Sequence, residues 1–304
     1  MAASTSSPLR RGLAWMLAAT AALVAMNACA KILRESGFST AEIIFYRTSP
    51  GLLWLWLEVR RRHVSLRPVR VDLVVLRSLL GVAAMAATFF AVRALTLIQH
   101  QTLHLLQPVF VALFAPLLLR ERLTAVVVLA LALAASGAFL VLAPQGDLST
   151  LPLLPALVGV AAAIFSALAH VTIRKTSATE APEVVVFHFA LLAAVLGLGW
   201  ALVTGDFALA HLTAPHLALI AGTAALGTLG QLWMTRAYGL APASRVAMVA
   251  YAAIPLGLAF DILVWGAHAA PTGLAGAGLL VVAGWLIARK PARPAPGQPH
   301  PGQP

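Results

Sequence analysis

The chain has 304 residues, of which 61% are hydrophobic and only 10% charged. A soluble domain carries about 25% charged residues, so this composition excludes a water-facing surface and makes lipid the outer solvent. The net charge of +11 would suit nucleic acid in a soluble protein. Here the basic residues concentrate in particular loops, and three tyrosines and seven tryptophans are too scattered for a base-stacking surface, so no nucleic-acid partner is expected.

A helix needs about 20 mostly apolar residues to cross the hydrocarbon core. Ten such runs are predicted, near residues 12–31, 40–59, 71–93, 100–119, 123–143, 152–173, 183–203, 215–236, 244–265 and 270–288. Barrel strands would be about 10 residues long and would alternate apolar with polar, which these runs do not. Arg10 and Arg11 precede a run ending in Ala28, Cys29 and Ala30, a pattern that fits a cleavable signal peptide. A retained first helix is expected instead, because it has a counterpart later in the chain. Cys29 is the only cysteine, so no intramolecular disulfide or thiolate cluster can form. Residues 291–304 are rich in Pro, Gly and Gln, cannot bury a core, and are expected to be disordered.

An internal repeat organises the runs. Residues 41–47 (AEIIFYR) align with 182–188 (PEVVVFH), which puts Glu42 on Glu183 and Arg47 on His188 at a shift of 141 residues. Pro108 falls on Pro255 and Gly137 on Gly284 at a shift of 147. The expected organisation is therefore an N-terminal segment over 1–11, one five-helix unit over 12–143, a second over 152–288, and a tail over 289–304. With an odd number of crossings per unit, the second must enter the membrane from the opposite side. Loop charge agrees with this. Arg60, Arg61, Arg62, Arg67 and Arg70 lie between helices 2 and 3, whereas residues 204–214 hold no Lys or Arg. Arg120 and Arg122 follow helix 4, whereas residues 267–269 after helix 9 have neither. Arg289, Lys290 and Arg293 follow helix 10, whereas helix 5 is followed by Asp147. By the positive-inside rule both termini are expected in the cytoplasm, with Lys31 and Arg34 as exceptions on the outer side. The predicted fold class is all-α: a polytopic membrane protein of ten transmembrane helices in two inverted five-helix repeats.

Arg47, Gln107-Pro108-Val109, Glu121-Arg122-Leu123 and Gly137 in the first half resemble the EamA-type ten-helix carriers of the drug/metabolite transporter superfamily. So do Gly230-Gln231, Ala237, Ala243-Ser244, Tyr251, Pro255 and Gly284 in the second. The resemblance covers about residues 12–288. It implies export or uptake of amino acids, nucleobases, drugs or related metabolites in an inner (plasma) membrane. It also implies an acid after helix 9 to match Glu121. His268 stands there instead.

Polar groups inside a bilayer are costly, about 2.5–3.5 kcal/mol for a central charge on insertion scales, and those that persist usually face a cavity or a partner. At about 100° per residue, His100, His104 and Gln107 fall on one face of helix 4. Pro108 removes a backbone donor and frees the carbonyl of His104. Pro255 does the same to Tyr251, the repeat equivalent of His104. Inverted-repeat carriers place substrate at the midplane near interrupted helices, so His104, Gln107 and Tyr251 are expected to line a central cavity. Arg47 is a candidate anion anchor, or else a clamp on helix-end carbonyls or on Glu42. Gln231, His170 and Asn27 are further cavity candidates. Histidine is the side chain suited to exchanging protons near neutral pH, so His188, with Asp261, is a candidate for proton coupling; a counter-substrate gradient is the other driving force open to such a carrier. Gly273, Ala277 and Gly284 are expected to allow close packing of helix 10.

Three other functions are weighed against transport of a metabolite. A zinc protease needs Glu between the histidines, but Gln101 stands in the stretch from His100 to His104. The same two histidines could carry a divalent metal in transit, given a third ligand. A non-transporting receptor or scaffold would not need matched kinks in two halves. No Gly-rich phosphate loop precedes a helix, so ATP-driven pumping by this chain is excluded. No cofactor and no enzymatic activity are expected.

Overall fold

A computed structural model describes residues 8–92, 94–95, 103–142, 152–205, 212–266 and 271–289. Among these the regular structure is entirely helical: α1 Pro8–Glu35, α2 Thr40–Arg61, α3 Val71–Val92, α4 Leu106–Leu119, α5 Ala125–Leu142, α6 Leu153–Thr176, α7 Pro182–Thr204, α8 Ala214–Leu240, α9 Ala243–Val249, α10 Ala253–Trp265 and α11 Pro271–Arg289. A 3-10 turn, Ala250–Ala252, joins α9 to α10, so these three make the ninth span. The tenth is α11. The remaining predicted spans match helices one for one, with ends shifted by a few residues. His268, His100, Asp147 and Lys290 lie outside the described residues. Six spans are long and apolar enough by themselves to cross a membrane.

Local signals set the helix ends. Ser39 caps α2: its side chain accepts from the Glu42 N–H, and the Glu42 carboxylate accepts from the Ser39 N–H at 2.9 Å. This reciprocal bonding satisfies two donors that no helix can satisfy internally. Pro182 opens α7, where its missing N–H is harmless. Gly205 closes α7 at φ +70°, a left-handed conformation that glycine takes without a Cβ penalty.

Packing follows the repeat. α1 lies along α8 and α3 along α6, and these contacts exchange when the halves are swapped. α2 against α7, α5 against α11 and α4 against α9 map onto themselves. This pairing is consistent with two like units about a two-fold axis. The buried core is built largely of small side chains, among them Ala115, Ala134, Ala167, Ala237 and Ala247. Large apolar side chains instead point outward, with Leu263 83% and Val203 88% exposed. That distribution suits lipid, which gives no reason to bury leucine.

The loops gather by charge. Arg70 N–H donates to Glu180 Oε1 at 2.6 Å, and Arg174 donates to the Tyr238 and Gly239 carbonyls at the end of α8. Glu121 accepts from Ala243 N–H at the start of α9 and pairs with Arg174 at 3.4 Å. One end of the bundle thus carries the 62–70, 120–124, 177–181 and 241–242 connections. At the other end Phe38 packs edge-on against His216.

Close helix approach in α11 does not use the two glycines expected. Neither Gly273 nor Gly284 has a neighbour within 4 Å of where a Cβ would sit. The contact is made by Gly137 of α5, whose Cβ would lie 2.7 Å from the Gly276 carbonyl and 2.9 Å from Leu279 Cβ. Gly137→Ala should therefore lower stability by about 1–3 kcal/mol through overpacking. Its repeat mate Gly284→Ala should be neutral or slightly stabilising, since Ala is the better helix former by about 1 kcal/mol. Melting of the two purified variants in one detergent separates these outcomes.

Candidate substrate site

Both halves interrupt a helix at the same place. Residues 103–104 are helical, Leu105 is a turn, and α4 resumes at Leu106. In the second half the 3-10 turn ends at Ala252, which the 147-residue shift places on Leu105. In each, proline follows three residues later, at Pro108 and Pro255, and cannot donate to the preceding turn.

Tyr251 lies in the second interruption and reaches the first. It is 3% exposed, and its hydroxyl donates to the Leu105 carbonyl at 2.7 Å. The sequence pointed to the His104 carbonyl as the one set free, and to Tyr251 as cavity lining. The bond is to the next carbonyl, and it occupies the hydroxyl in joining the two halves.

The polar side chains converge beside this joint. Gln107, 3% exposed on α4, donates from Nε2 to His170 Nδ1 of α6 at 2.5 Å. His170 stacks on Tyr238 of α8, with ring centroids 5.3 Å apart. Gln231 of α8 accepts at Oε1 from an Arg77 guanidinium nitrogen, 3.0 Å away. His104 and Arg77 both lie close enough to His170 to act on it electrostatically. Four spans, α3, α4, α6 and α8, thus supply Arg77, His104, Gln107, His170 and Gln231 to one cluster.

Sequence reasoning missed Arg77. It is 2% exposed, its guanidinium lies 3.9 Å above the ring of Phe189 in α7, and its Nε and Nη1 have no hydrogen-bond partner among the described residues. Gly81, one turn on, makes room: a Cβ there would stand 2.6 Å from Nη1 and 2.8 Å from the Phe189 ring. An arginine followed by glycine four residues later, inside an apolar run, was the signal available.

The other candidates are placed as follows. Arg47 is partly buried, with its Cγ 3.5 Å from the Cβ position of Gly227. It makes no hydrogen bond or ion pair with a described residue, and Glu42 serves the α2 cap rather than Arg47. Gly227 and Gln231 lie one turn apart on α8, so Arg47 and Arg77 approach successive turns of the same helix face. His188 hydrogen-bonds through Nδ1 to the Val184 carbonyl at 2.9 Å, within its own helix. Asn27 is exposed on α1, outside the cluster. Asp261 sits in α10, but its side chain lies outside the described residues, as does all of His100. Among the described residues no three His, Cys, Asp or Glu side chains converge as metal ligands.

A separate open cleft of about 420 Å³ lies at the charged end, lined by Arg11, Trp15, Glu180, Thr235 and Arg236 among others. Arg236 pairs there with Glu183 at 2.8 Å.

A bundle of membrane-length helices, interrupted at matched points around a buried polar cluster, defines a polytopic membrane transporter. The sequence profile of the EamA-like transporter family matches residues 10–143. The pseudopaline exporter CntI of Pseudomonas aeruginosa is 29% identical over 275 residues, covering 90% of this chain and 95% of that protein. An uncharacterized transporter of Helicobacter pylori is 26% identical, covering 91% and 94%. A riboflavin transporter of Brucella anthropi is 27% identical, covering 90% and 97%. A solved crystal structure superposes with a TM-score of 0.75 at 20% identity, covering 91% of this chain and 98% of the other. Residues 10–143 thus carry an EamA-like domain of the drug/metabolite transporter superfamily, and the chain is a multi-pass membrane transporter.

Removing the Tyr251 hydroxyl strands the Leu105 carbonyl in a water-poor interior. Tyr251→Phe should cost about 1–3 kcal/mol, read as a lower melting temperature. A variant that melts with wild type would show that the bond does not join the halves.

Proposed function

We propose that the protein is a secondary transporter that moves a small metabolite across the bacterial inner membrane by alternating access around the Arg77–Gln231–His170–Gln107 cluster. The observation that carries this reading is the position of the cluster. It sits beside two interrupted helices, one from each half, where small rotations of the halves would open it to either side. Gln231 lies nine residues, about 13 Å, before the end of α8, which is deep enough to be sealed from that side. Relatives named for export of pseudopaline and transport of riboflavin support a small organic cargo.

Orientation follows from charge. Arg10, Arg11, the arginines of 60–70, Arg120, Arg122, Arg174 and Lys175 belong to connections that meet at one end, and a cytoplasmic location for that end obeys the positive-inside rule. Both termini are then cytoplasmic. Arg236 with Glu183, and Glu121 with Arg174, would close the cytoplasmic mouth in this conformation. The gradient of substrate, of a counter-substrate or of protons drives the cycle. His188 is the proton-coupling candidate whose side chain is described; with Nδ1 on the Val184 carbonyl, Nε2 is the atom left to exchange a proton.

The reading is tested by metabolite profiling of cells with and without the protein, followed by uptake of the identified compound into proteoliposomes with and without a pH gradient. Saturable uptake that rises when the mouth is loosened by Glu183→Gln is expected. Liposomes that take up nothing above empty controls would refute the transporter reading. Reporter fusions at Arg67 and Asp206 should report opposite faces of the membrane.

A further inference from the structure

We infer that the cargo is a carboxylate-bearing metabolite held by the guanidinium of Arg77, with Arg47 as the second cation of the site. The inference rests on the transporter reading and adds the chemical class.

The charge balance of the interior is the starting point. Two arginines reach successive turns of one face of α8, one at Gly227 and one at Gln231. Neither has an acidic partner among the described residues. Four acids of the bundle have other partners: Glu42 caps α2, Glu183 holds Arg236, Glu121 holds Arg174 and the α9 start, and Glu180 holds the Arg70 N–H. A buried cation without a counter-ion is unfavourable in a low-dielectric interior. Gln231 and the Phe189 ring offset part of that cost but bring no negative charge.

The free donors of Arg77 then select the ligand. A guanidinium presents two parallel-donor edges, Nε with one hydrogen of Nη2, and Nη1 with the other. Gln231 occupies one hydrogen of Nη2, while Nε and Nη1 are unpartnered among the described residues. Whichever Nη2 hydrogen Gln231 takes, one edge keeps both donors. A planar carboxylate matches such an edge with two parallel bonds, shorter and stronger than neutral ones. Gly81 and Phe189 hold the guanidinium flat, which presents the edge in a fixed direction. Gln107 and His170 supply neutral polar atoms beside it for the uncharged remainder of the cargo.

The test uses full-length protein in detergent, titrated with benzoate, L-alanine and succinate and, in parallel, with their amides benzamide, L-alaninamide and succinamide. Binding is read as a shift in melting temperature. At least one carboxylate should stabilise wild type while its amide does not. Arg77→Gln should raise the half-saturating concentration of that carboxylate roughly ten- to a hundred-fold, as loss of a charge-assisted hydrogen bond does. Equal effects of acid and amide, binding of none of the acids, or an unchanged Arg77→Gln would each overturn the inference. Should Arg77→Gln fail to fold, Arg77→Lys decides. Lysine keeps the charge but loses the fork, so binding at least roughly tenfold weaker is expected, and unchanged affinity refutes the site. Transport of a neutral or cationic metabolite by Arg77→Gln at the wild-type rate would remove this inference and leave the transporter reading intact. Carboxylate binding without any transport would do the reverse.

Discussion

In a bilayer, each backbone polar group must find its partner inside the protein, because hydrocarbon offers none. The interruptions at Leu105 and at Ala250–Ala252 therefore have to be satisfied by neighbouring side chains. Tyr251 does this for Leu105. Its bond ties the broken helix of one half to that of the other, and the polar cluster sits beside the joint. A helix that stayed whole would leave no backbone to satisfy and no gap for polar side chains. Pro108 and Pro255 thus mark where backbone as well as side chains is polar inside the bundle.

The same constraint separates structural polar residues from those free to meet a cargo. Thr20, Thr48, Ser78 and Thr223 each return a hydrogen bond to a carbonyl four residues earlier in their own helix. His188 does likewise. These groups are satisfied locally and shape the helices they sit in. Arg77 differs, since two of its three nitrogens point at nothing in the described structure. Local satisfaction accounts for these polar side chains, whereas Arg77 is among the groups left without a full set of partners in the described residues.

The sequence carried most of the fold, because a bilayer imposes a length and a polarity that a single run of residues must meet. Spans 40–59 and 71–93 were visible from hydropathy alone, and helix ends moved by a few residues. The site was legible in part. Gln107 joins the buried cluster, and periodicity reported the helix face it occupies; Gln231 and His170 join it too, but they were legible only as polar residues inside apolar runs. What periodicity cannot report is the partner. Tyr251 was read as lining because its target, Leu105, is 146 residues away. Arg77 was overlooked because a lone arginine near the start of a span looks like an interfacial anchor until Gly81 and Phe189 are seen to enclose it. Gly284 shared a repeat position with Gly137, yet only Gly137 meets a backbone: repeat alignment predicts geometry to the level of the helix, not of the contact.

That last difference extends across the molecule. Glu42 closes a helix cap while its mate Glu183 binds Arg236. Arg47 has no counter-ion among the described residues, while its mate His188 bonds its own helix. His104 borders the cluster while its mate Tyr251 joins the halves. A carrier with two-fold packing needs like scaffolds so that inward- and outward-facing states have similar energies. A single asymmetric cargo needs the opposite of its binding groups, because a site with identical donors on both sides of the axis would favour a symmetric ligand. The divergence of side chains at matched positions resolves this conflict. The duplicated parts are the helix pairings and the interruptions. In the proposed site the unmatched parts, Arg77 and Arg47 above all, are the groups assigned to distinguish one metabolite from another.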